Sequence, residues 1–440
     1  MTSALDRVIV GNGAAAAEAA LALRRAGYGG RVDLFADGAR PPYNPMLGSY
    51  YVSGELEGRR CFPYGDAGFY ARAGVHVHAS TPVAHLDPAA RSLTTAAGER
   101  FSYVKCLVAT GATTAVPPVP GLAGPGVFVL RSFDDAVLLR GAVTAARVRA
   151  AAGAPPRALV MGASFAGVKI ASVLQRLGLD VVIVERETSV LPCLAHRACA
   201  ATVARHLSER GLDLRLGLVA SSVDRCDGRL EVSFEDAARA GAGAASDPAG
   251  AGRRDVAETF DLAVVCTGSR ANLGLLEASG LADNGGIDVD EAMTAPAPGL
   301  FAAGDVARTV DPLTGERATT ALWASARRQG RVAGLTMAGV TAASAGRAAC
   351  NIQHAGDLLF ASGGSLAAAD VVDVDEREGS LAVLGFRAGR LVGFNLVGDV
   401  RRAGPLACAL GSERRGARDC NVAALAAARE MMTWTTRRAG

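Results

Sequence analysis

Two short glycine-rich loops contain the residues of this sequence with the clearest chemical potential. The first covers residues 11–16 (GNGAAA), and the second covers residues 162–167 (GASFAG), about 150 residues further along the chain. Each follows a short apolar run, VIV before the first and LVM before the second. Glycine permits a tight turn, and small residues let a pyrophosphate approach the N-terminus of the next helix. The two loops therefore predict two dinucleotide-binding sites.

An acidic residue follows each loop, near the end of the next predicted strand. Asp37 comes shortly after RVDLF, and Glu185 comes directly after VVIV. An acid at this position suits the ribose hydroxyls of an adenosine and repels a 2′-phosphate. Glu185 thus favours NADH over NADPH, although the neighbouring Arg186 works against that preference. The alternative is that both loops are ordinary turns of an α/β protein.

Further turn signals follow apolar runs elsewhere in the chain. Residues 107–111 read LVATG, residues 263–268 repeat the pattern as AVVCTG, and residues 300–305 read LFAAGD. Each run has the length and composition of a buried strand that ends in a glycine turn. The signal at 263–268 marks the end of the second glycine-loop unit, and the turn at 300–305 marks the return of the chain to the first unit.

These elements predict an α/β fold with two Rossmann-like dinucleotide-binding domains of the three-layer ββα type and a small C-terminal α+β domain. Two low-complexity stretches, residues 145–156 and 237–254, are predicted to be solvated connectors. A hairpin with a turn at Ala388 and Gly389 is predicted in the C-terminal region. The predicted segments are a first domain over residues 1–115 and 276–340, a connector over 116–155, a second domain over 156–275 and a C-terminal domain over 341–440.

Composition argues against several classes of function. The 440 residues have a formal net charge of +3, with acids and bases interspersed, which gives no reason to expect a nucleic-acid partner. No apolar run reaches the roughly 18 to 20 residues of a membrane span. The first strand begins by Arg7, which leaves no room for a signal peptide. We therefore expect a cytoplasmic protein.

The nine cysteines are scattered, and no C-x-x-C pair occurs. We therefore predict no zinc or iron–sulfur centre on this chain. Cys193, His196 and Cys199 are close in sequence, but a helix that starts after Leu191 and Pro192 explains them as well as a metal site does. His76 and His78 alternate with valines, which is typical of the outer face of a strand.

With these motifs, the sequence resembles the FAD-dependent pyridine nucleotide–disulphide oxidoreductase superfamily, in particular its ferredoxin-reductase and nitrite-reductase type. The resemblance covers residues 7 to about 340 closely and the C-terminal region more loosely. Some stand-alone members of this branch are NADH-linked electron-transfer subunits, for instance of phenylglyoxylate dehydrogenase. The supporting motifs are the two glycine loops, the PYN of residues 42–44, ATGA of 109–112, LR of 130–131, TGSR of 267–270, AGD of 303–305, and Gln329-Gly330 preceded by Trp323.

The resemblance implies a binding role for particular residues. It assigns to FAD the residues Gly11, Gly13, Ala14, Ala15, Ala16, Asp37, Val83, Ala109, Thr110, Gly111, Arg131, Gly304, Asp305 and Trp323. It assigns to NAD the residues Gly162, Ser164, Phe165, Gly167, Glu185 and Gly268. For Trp323, core packing is the alternative.

The sequence departs from the family pattern in three places. The redox-active cysteine pair is absent, since no cysteine precedes Cys61, and disulphide chemistry requires a thiolate at the flavin. The lysine expected after the Pro-Tyr segment is missing from residues 45–51, while Lys169 stands where a glutamate is expected. We predict that this cation lies near the reactive edge of the flavin; a solvated helix lysine is the alternative. The arginine expected after residues 109–111 is replaced by Thr113 or Thr114.

The resemblance implies an NAD(P)H:acceptor flavin oxidoreductase that prefers NADH. It would take hydride onto FAD and pass electrons to an external iron–sulfur acceptor: ferredoxin, rubredoxin or a partner subunit. One alternative is the flavin subunit of a substrate dehydrogenase or oxidase, in which Ser164 makes the second site unproductive. Another is a flavin-bound scaffold subunit. A homodimer through the C-terminal domain is left open.

Overall fold

The computed structural model describes residues 4–66, 68–150, 153–240, 257–282, 285–344 and 348–412. In chain order, its strands are β1 (Ala4–Val10), β2 (Val32–Phe35), β3 (His76–His78), β4 (Val83–Asp87), β5 (Ser92–Thr95), β6 (Arg100–Val108), β7 (Ala112–Thr114), β8 (Val127–Phe128), β9 (Arg157–Met161), β10 (Asp180–Glu185), β11 (Asp213–Leu216), β12 (Leu218–Cys226), β13 (Arg229–Asp236), β14 (Glu258–Phe260), β15 (Leu262–Val265), β16 (Ser269–Ala271), β17 (Ile287–Asp288), β18 (Leu300–Ala302), β19 (Ala307–Val310), β20 (Arg317–Thr319), β21 (Cys350–Ala355), β22 (Leu358–Gly364), β23 (Val371–Arg377), β24 (Ser380–Arg387) and β25 (Arg390–Val397). Its helices are α1 (Ala14–Arg25), α2 (Gly48–Ser53), α3 (Phe69–Arg72), α4 (Phe133–Arg149), α5 (Phe165–Arg176), α6 (Arg197–Glu209), α7 (Ala237–Ala240), α8 (Trp323–Met337) and α9 (Ala403–Ala409). Short 3₁₀ helices cover Pro45–Leu47, Gly58–Cys61, Gly274–Ser279 and Leu366–Ala368.

The chain divides into two compact units. The first unit comprises Met1–Thr114, Arg131–Phe133 and Ser269–Arg347. The second unit comprises Ala115–Leu130, Asp134–Gly268 and Ala348–Gly440. The predicted division into five segments remains a prediction.

The main sheet of the first unit has a parallel centre. Its strand order is β3-β2-β1-β6-β5-β4, and β18 also pairs with β6. Strands β1, β2, β3, β6 and β18 run parallel, while β5 and β4 continue the sheet in antiparallel fashion from the start of β6. Strands buried on both faces are apolar throughout, as the VIV end of β1 shows. The carboxyl ends of β1, β6 and β18 therefore meet at one sheet edge.

Two helices of the first unit pack against each other at very short range. On α8, a Cβ at Gly330 would lie 2.1 Å from the Ala15 carbonyl oxygen, and one at Gly334 would lie 2.4 Å from that of Ala19. Glycine at these two positions is therefore required by the close contact with α1. The Glu18 carboxylate, which is buried on α1, pairs with arginines of α8 and is described with the site below.

The second unit begins with another parallel sheet, in the order β11-β10-β9-β15-β8. An antiparallel sheet, β12-β13-β14, shares a core with it. Met161 and Val184 from the parallel strands pack in that core with Val232 and Phe260 from the antiparallel ones. With the following helices, this gives the three layers predicted, and the predicted α/β fold class is confirmed.

A five-stranded antiparallel sheet forms the C-terminal part of the second unit, in the order β21-β22-β25-β24-β23. The predicted hairpin is β24 and β25, and its turn residues Ala388 and Gly389 have φ angles of 47° and 74°. Two successive positive φ angles fit the right-handed twist of the flanking strands. A core that includes Phe386, Phe394 and Leu406 covers one face.

The structure differs from the sequence expectations in one connector. Helix α4 continues to Arg149 and buries Val143 and Ala146, so the beginning of the stretch 145–156 is helical rather than a solvated connector. Alanine has the highest helix propensity, which explains why a low-complexity composition here continues the helix. Most of the insert 237–254 lies outside the described residues. Within the described residues, no helix has both the length and the apolar composition needed to cross a membrane.

Candidate dinucleotide-binding sites

The first glycine loop begins where β1 ends. Gly11 adopts a φ of +114°, and its amide donates to the Phe35 carbonyl oxygen at 2.9 Å. A Cβ at this position would fall 2.2 Å from the Ala109 carbonyl oxygen. The loop thus passes so close to the end of β6 that only glycine fits, as the sequence predicts.

Gly13 is the N-cap of α1, and no side chain caps this helix. A Cβ built on Gly13 meets none of the described atoms within 4 Å, so the space beside the helix N-terminus is open. The side chain of Asn12 is fixed, because it accepts from the Tyr70 hydroxyl at 2.7 Å and donates to the Arg40 carbonyl oxygen at 2.7 Å. Helix N-terminal amides without a side-chain cap are the donors that bind a pyrophosphate. Ala14, Ala15 and Ala16 form the buried first turn.

The turn that follows β6 is held by Asn272. The Thr110 hydroxyl donates to the Asn272 carbonyl oxygen at 2.7 Å, and the Asn272 side-chain amide donates back to the Thr110 carbonyl oxygen at 3.0 Å. Gly111 has a φ of +70° and accepts from the Asn272 amide at 2.9 Å. Because β6 lies beside β1, this turn stands next to the first glycine loop.

An ion pair joins two residues that the sequence assigns to FAD. Arg131 and Asp305 carry the pair, with 2.5 Å between Nη2 and Oδ2, and the Arg131 Nε donates to the Ala112 carbonyl oxygen at 2.8 Å. Gly304, before Asp305, has a φ of +85°, and its amide donates to the buried Gln329 side chain at 2.8 Å. The glycine turn after β18 is therefore fixed beside the loops after β1 and β6.

The remaining FAD candidates of the first unit lie further out. Asp37 is exposed in the loop after β2, and Val83 is the half-buried first residue of β4. Trp323 begins α8, where the Arg327 guanidinium lies 4.7 Å from its ring centroid. Val83 and Trp323 pack against the hydrophobic core that includes Ala15 and Ala16.

Several features of the first unit fit a bound FAD. Ser49 Oγ and Trp323 Nε1 are among the buried polar atoms that have no hydrogen-bond partner among the described residues. Buried polar atoms are normally satisfied, so such atoms indicate a missing partner. These two atoms and the open space at Gly13 are each compatible with a polar ligand bound to this unit. Ser49 lies in α2, in the segment where the family resemblance leads one to expect a lysine.

Cys61 is not suited to disulphide chemistry. The residue is buried, and its thiol donates weakly to the Leu47 carbonyl oxygen at 3.9 Å. Burial raises the pKa of the Cys61 thiol, which disfavours the thiolate that such chemistry requires. Its environment therefore agrees with the missing cysteine pair.

The second glycine loop repeats the geometry of the first. Gly162 has a φ of +101°, its amide donates to the Val184 carbonyl oxygen at 2.7 Å, and its Cβ would lie 2.5 Å from the Cys266 carbonyl oxygen. A Cβ at Gly167 would lie 1.9 Å from the Gly162 carbonyl oxygen. Both glycines are therefore required by close backbone contacts.

Ser164 turns its hydroxyl into the loop. Its Oγ accepts from the Gly167 amide at 3.4 Å, which caps helix α5, and donates to the Cys266 carbonyl oxygen at 3.1 Å. Backbone groups of the protein therefore already accept from and donate to the Ser164 hydroxyl. The cap occupies the Gly167 amide, whereas no side chain caps the first turn of α1 in the first unit.

Glu185, the last residue of β10, lies against the second glycine loop. One carboxylate oxygen accepts from the Ala163 amide at 2.7 Å, and the other accepts from the Glu187 amide at 2.9 Å. Arg186, its neighbour, pairs with the Glu187 carboxylate at 3.3 Å. The predicted ribose-binding acid therefore stands where the loop turns, and Arg186 is directed towards another acid.

Two further NAD candidates, and the lysine predicted to lie near the flavin, belong to this loop, its helix or the turn after β15. Gly268 follows β15 with a φ of +104° and accepts from the Ala115 amide at 3.0 Å. Phe165 begins α5, and its ring centroid lies 5.4 Å from that of Phe360. Lys169 is half-buried in the second turn of α5. Its proximity to a flavin stays a prediction.

Two constellations were not found from the sequence. The first joins buried Asp33 to Arg31 and to His78, which stacks on Phe35 with 4.2 Å between ring centroids. Burial raises the pKa of Asp33, but hydrogen bonds from Arg31 and His78 outweigh it and hold that pKa below its usual value. Asp33, His76 and His78 are the one group of potential metal ligands found in the described residues; Arg31 binds both oxygens of the carboxylate.

The second constellation centres on Glu18, whose buried carboxylate pairs with Arg327 at 2.5 Å and with Arg331 at 3.3 Å. Burial raises the pKa of Glu18, but the two arginines outweigh it and lower that pKa overall. Glu18 lies at the end of the first turn of α1, and the alanine-rich sequence around it did not indicate that arginines of α8 would pair with it. A single charged residue within the apolar run of residues 14–23 (AAAAEAALAL) was the available signal.

These geometries define a protein with two dinucleotide-binding units. A sequence profile for the pyridine nucleotide-disulphide oxidoreductase family matches residues 5–330, and the chain belongs to this family. The family resemblance expected from the motifs is confirmed.

Several relatives are reductase components. The chain is 29% identical over 332 residues to the epsilon subunit of NADH-dependent phenylglyoxylate dehydrogenase of Aromatoleum evansii, a match that covers 76% of this chain and 72% of that protein. It is 29% identical to the ferredoxin–NAD(+) reductase subunit of the benzene 1,2-dioxygenase system of Pseudomonas putida, over 68% of this chain and 66% of that one. It is 27% identical to rubredoxin-NAD(+) reductase of Ectopseudomonas oleovorans, over 70% and 73%.

Solved structures share the fold. A ferredoxin reductase from Rhodopseudomonas palustris matches with a TM-score of 0.79 at 23% identity, covering 93% of this chain and 96% of that one. A water-forming NADH oxidase from Lactobacillus brevis matches with a TM-score of 0.81 at 21% identity, covering 98% and 100%. The predicted oxidoreductase class, with FAD and NADH as its cofactors, is confirmed by the family and its members.

Proposed function

We propose that this protein oxidises NADH, holds FAD in its first unit and delivers the electrons to an external iron–sulfur protein. The observation that supports this most strongly is the convergence of three loops at one sheet edge: the glycine loop after β1, the turn at Thr110 and the turn at Asp305. The second glycine loop, with Glu185 against it, supplies a separate site for NADH. Relatives that are ferredoxin or rubredoxin reductases support the nature of the acceptor.

The first unit's residues have complementary roles towards FAD. The uncapped N-terminus of α1, reached over Gly13, would bind the pyrophosphate, and Arg131 would supply positive charge beside it. Asp305 would accept hydrogen bonds from the ribityl chain, while Asp37 would bind the adenosine ribose and Val83 would meet the adenine. When bound, FAD supplies the ring system that accepts hydride and releases single electrons. The protein positions that ring and excludes competing reactions.

In the second unit, Glu185 would bind the ribose hydroxyls of NADH. Its carboxylate is held in place by the Ala163 amide, so binding does not have to order it. Ser164, Phe165 and Gly167 would surround the pyrophosphate, and Gly268 would border the nicotinamide side. Lys169 would bring positive charge to the reactive edge of the flavin.

One observation favours a second candidate function. The Gly167 amide is already bound by Ser164, and the Ala163 amide by Glu185, so the second loop offers fewer amides to a pyrophosphate. A flavin subunit whose second site does not use NADH productively would have this property. A flavin-bound scaffold within a larger assembly would have it as well.

Electron transfer in a reconstituted system distinguishes these candidates. The purified holoprotein would be mixed with NADH, a ferredoxin or rubredoxin, and cytochrome c as the final acceptor. We expect cytochrome c reduction that depends on the iron–sulfur protein. Failure of every iron–sulfur acceptor, with electrons passing freely to ferricyanide, would contradict the proposed acceptor class. Failure of NADH to reduce the flavin at all would support the second candidate.

We further propose a cytoplasmic location and, as an open option, a homodimer formed through the C-terminal domain. Light scattering coupled to size-exclusion chromatography measures the mass of the assembly directly. A single-chain mass at micromolar concentration would exclude the homodimer.

A further inference from the structure

We infer that Asn395, a residue of the C-terminal sheet, is a positioning residue for NADH: it anchors the loop that fixes the second glycine loop. The inference rests on the proposed function of that glycine loop as the NADH site. Residues 191–196, between β10 and α6, form the loop in question and are called the anchor loop below.

Asn395 has the environment of a residue that binds another segment. Its side chain is only 1% exposed within the apolar strand β25. Its Oδ1 accepts from the His196 amide at 2.6 Å, and its Nδ2 donates to the carbonyl oxygens of Leu194 and Phe394, each at 3.0 Å. Burial of an amide is costly unless it is hydrogen-bonded. Two of these three bonds go to the anchor loop.

The anchor loop in turn holds the glycine loop. The Leu191 amide donates to the Ala163 carbonyl oxygen at 2.9 Å. Leu191 has a φ of +52°, a conformation that a leucine adopts only when its surroundings impose it. The Leu194 and Ala195 amides both donate to the Leu191 carbonyl oxygen at 2.9 Å, which closes the turn that Asn395 anchors. Three hydrogen bonds in series therefore link Asn395 to Ala163.

Ala163 is held from two sides. Glu185 accepts from its amide, and Leu191 donates to its carbonyl oxygen, so the peptides flanking Ala163 are both fixed before any ligand binds. A pyrophosphate at this loop needs that peptide geometry, and the same geometry places the Glu185 carboxylate for the ribose. Preorganisation of this kind lowers the cost of binding rather than the barrier of the later chemical step.

The sheet also supports helix α5 at points that do not involve Asn395. Phe360 packs against Phe165, and the Gly356 amide donates to the Ser172 hydroxyl at 3.0 Å. Replacing Asn395 therefore leaves other contacts between the sheet and this helix in place. Ser362, which lies opposite Asn395 in the register of β22, offers a matched control in the same buried sheet.

The test compares Asn395→Leu, Asn395→Asp and the control Ser362→Ala in the full-length holoprotein. Asn395→Leu removes both bonds to the anchor loop, whereas Asn395→Asp keeps an acceptor for the His196 amide but loses the donor to Leu194. Readouts are FAD content, calorimetric binding of NAD⁺, and KM and kcat for NADH with ferricyanide as acceptor. Hydrogen exchange of peptides covering residues 160–168 and 189–197 reports on the loops themselves.

We expect Asn395→Leu to raise the Kd for NAD⁺ and the KM for NADH about tenfold, as for one or two lost buried hydrogen bonds. Values of kcat and FAD content should stay within about twofold of wild type, a split that general destabilisation would not give. Hydrogen exchange should accelerate at Leu191. Asn395→Asp should show a rise in KM at least as large, because a buried carboxylate oxygen would face the Leu194 carbonyl oxygen. Ser362→Ala should show none.

Unchanged NAD⁺ binding and unchanged exchange in Asn395→Leu would overturn the inference, as would an equal rise in KM for Ser362→Ala. If Asn395→Leu does not fold, Asn395→Asp decides, and wild-type affinity in that variant would also overturn it. A wild-type protein that neither binds NAD⁺ nor is reduced by NADH would instead refute the proposed function. The two failures are therefore distinguishable.

Discussion

The two glycine loops share a backbone path and differ in what their own chain already occupies. In the first unit, α1 has no side-chain cap, and the space at Gly13 is open. In the second unit, Ser164 caps α5, and Glu185 accepts from the Ala163 amide. The first loop therefore presents more unused amide donors to a ligand than the second.

This difference fits a permanent cofactor on one side and an exchanged substrate on the other. A loop whose amides have no partner in the chain gains the most when a pyrophosphate binds, because unsatisfied donors are costly. A loop that is partly satisfied and prearranged can bind and release its ligand without large rearrangement. We therefore expect tight retention of FAD and moderate affinity for NADH.

The largest expected effects come from a matched pair of glycines in the first loop. Gly11→Ala places a Cβ 2.2 Å from the Ala109 carbonyl oxygen at a φ of +114°. We expect it to destabilise the fold by about 3 kcal/mol or more. Gly13→Ala meets no described atom within 4 Å. It should cost about 1 kcal/mol or less of stability, yet weaken FAD retention because its Cβ enters the open space.

Thermal unfolding and flavin content of the apo and reconstituted proteins measure both variants. The expected result is a large drop in Tm for Gly11→Ala and a selective loss of FAD for Gly13→Ala. Full FAD retention in Gly13→Ala would show that the pyrophosphate does not pass this position.

In the second loop, Glu185 should set the preference for NADH. Repulsion between its carboxylate and a 2′-phosphate is worth roughly 1–3 kcal/mol, or about 5- to 150-fold in affinity. Glu185→Ala should narrow the gap in kcat/KM between NADH and NADPH, mainly because NADH weakens. Loss of the bond to Ala163 adds to that weakening. An unchanged ratio between the two nucleotides would place Glu185 away from the ribose.

Replacement of Lys169 should have a smaller effect, which acts through the electrostatic potential at the flavin. A cation near the flavin raises its midpoint potential, and each ~30 mV on a two-electron couple corresponds to about 1.4 kcal/mol. We expect Lys169→Met, which keeps much of the stem volume, to lower the midpoint potential and slow reduction by NADH while FAD content stays the same. Spectroelectrochemical titration measures the potential. Wild-type values of both the potential and the reduction rate would mean that Lys169 is only a solvated helix residue.

The smallest effect concerns the N-cap of α6. His196 Nδ1 accepts from the Ala198 amide, and burial together with the nearby Arg197 charge lowers the pKa of His196 from 6.5. The unfolded chain therefore takes up a proton at a higher pH than the folded protein does. The lowered pKa of His196 therefore contributes to the free energy of unfolding. This contribution is fully present above pH 6.5 and is lost as the pH falls through the pKa of His196 in the folded protein.

Thermal unfolding at pH 7.5 and 5.5 measures this contribution, which we expect to be at most about 1 kcal/mol because it rests on a single N-cap. His196→Asn caps the helix without titrating and should lose less stability on acidification than wild type. An identical pH dependence in both proteins would show that His196 is not the group responsible.

Much of the fold could be predicted because its signals are local. The glycines at 11 and 162 each make a close backbone contact that only glycine allows, and the acid at 185 ends its strand. Thr110 was also predictable, since it follows an apolar strand in a repeated turn pattern. These features depend on neighbouring residues, so short sequence patterns contain them.

Other features depend on residues that are distant in sequence. The pairing of Arg131 with Asp305 spans 174 positions, and the bond from Asn395 to His196 spans 199. No short sequence pattern indicates either pairing. A lone asparagine inside the apolar run of β25 was a usable signal, because a buried amide requires partners. The sequence alone did not indicate which segment would supply them.

The central claim is that NADH reduces FAD held by this chain. Anaerobic stopped-flow mixing of the purified holoprotein with NADH tests it most directly, after acid precipitation has shown that the flavin is released and amounts to close to one per chain. We predict rapid loss of the visible absorbance of the oxidised flavin, and much slower loss with NADPH. A flavin that stays oxidised in excess NADH would contradict the account.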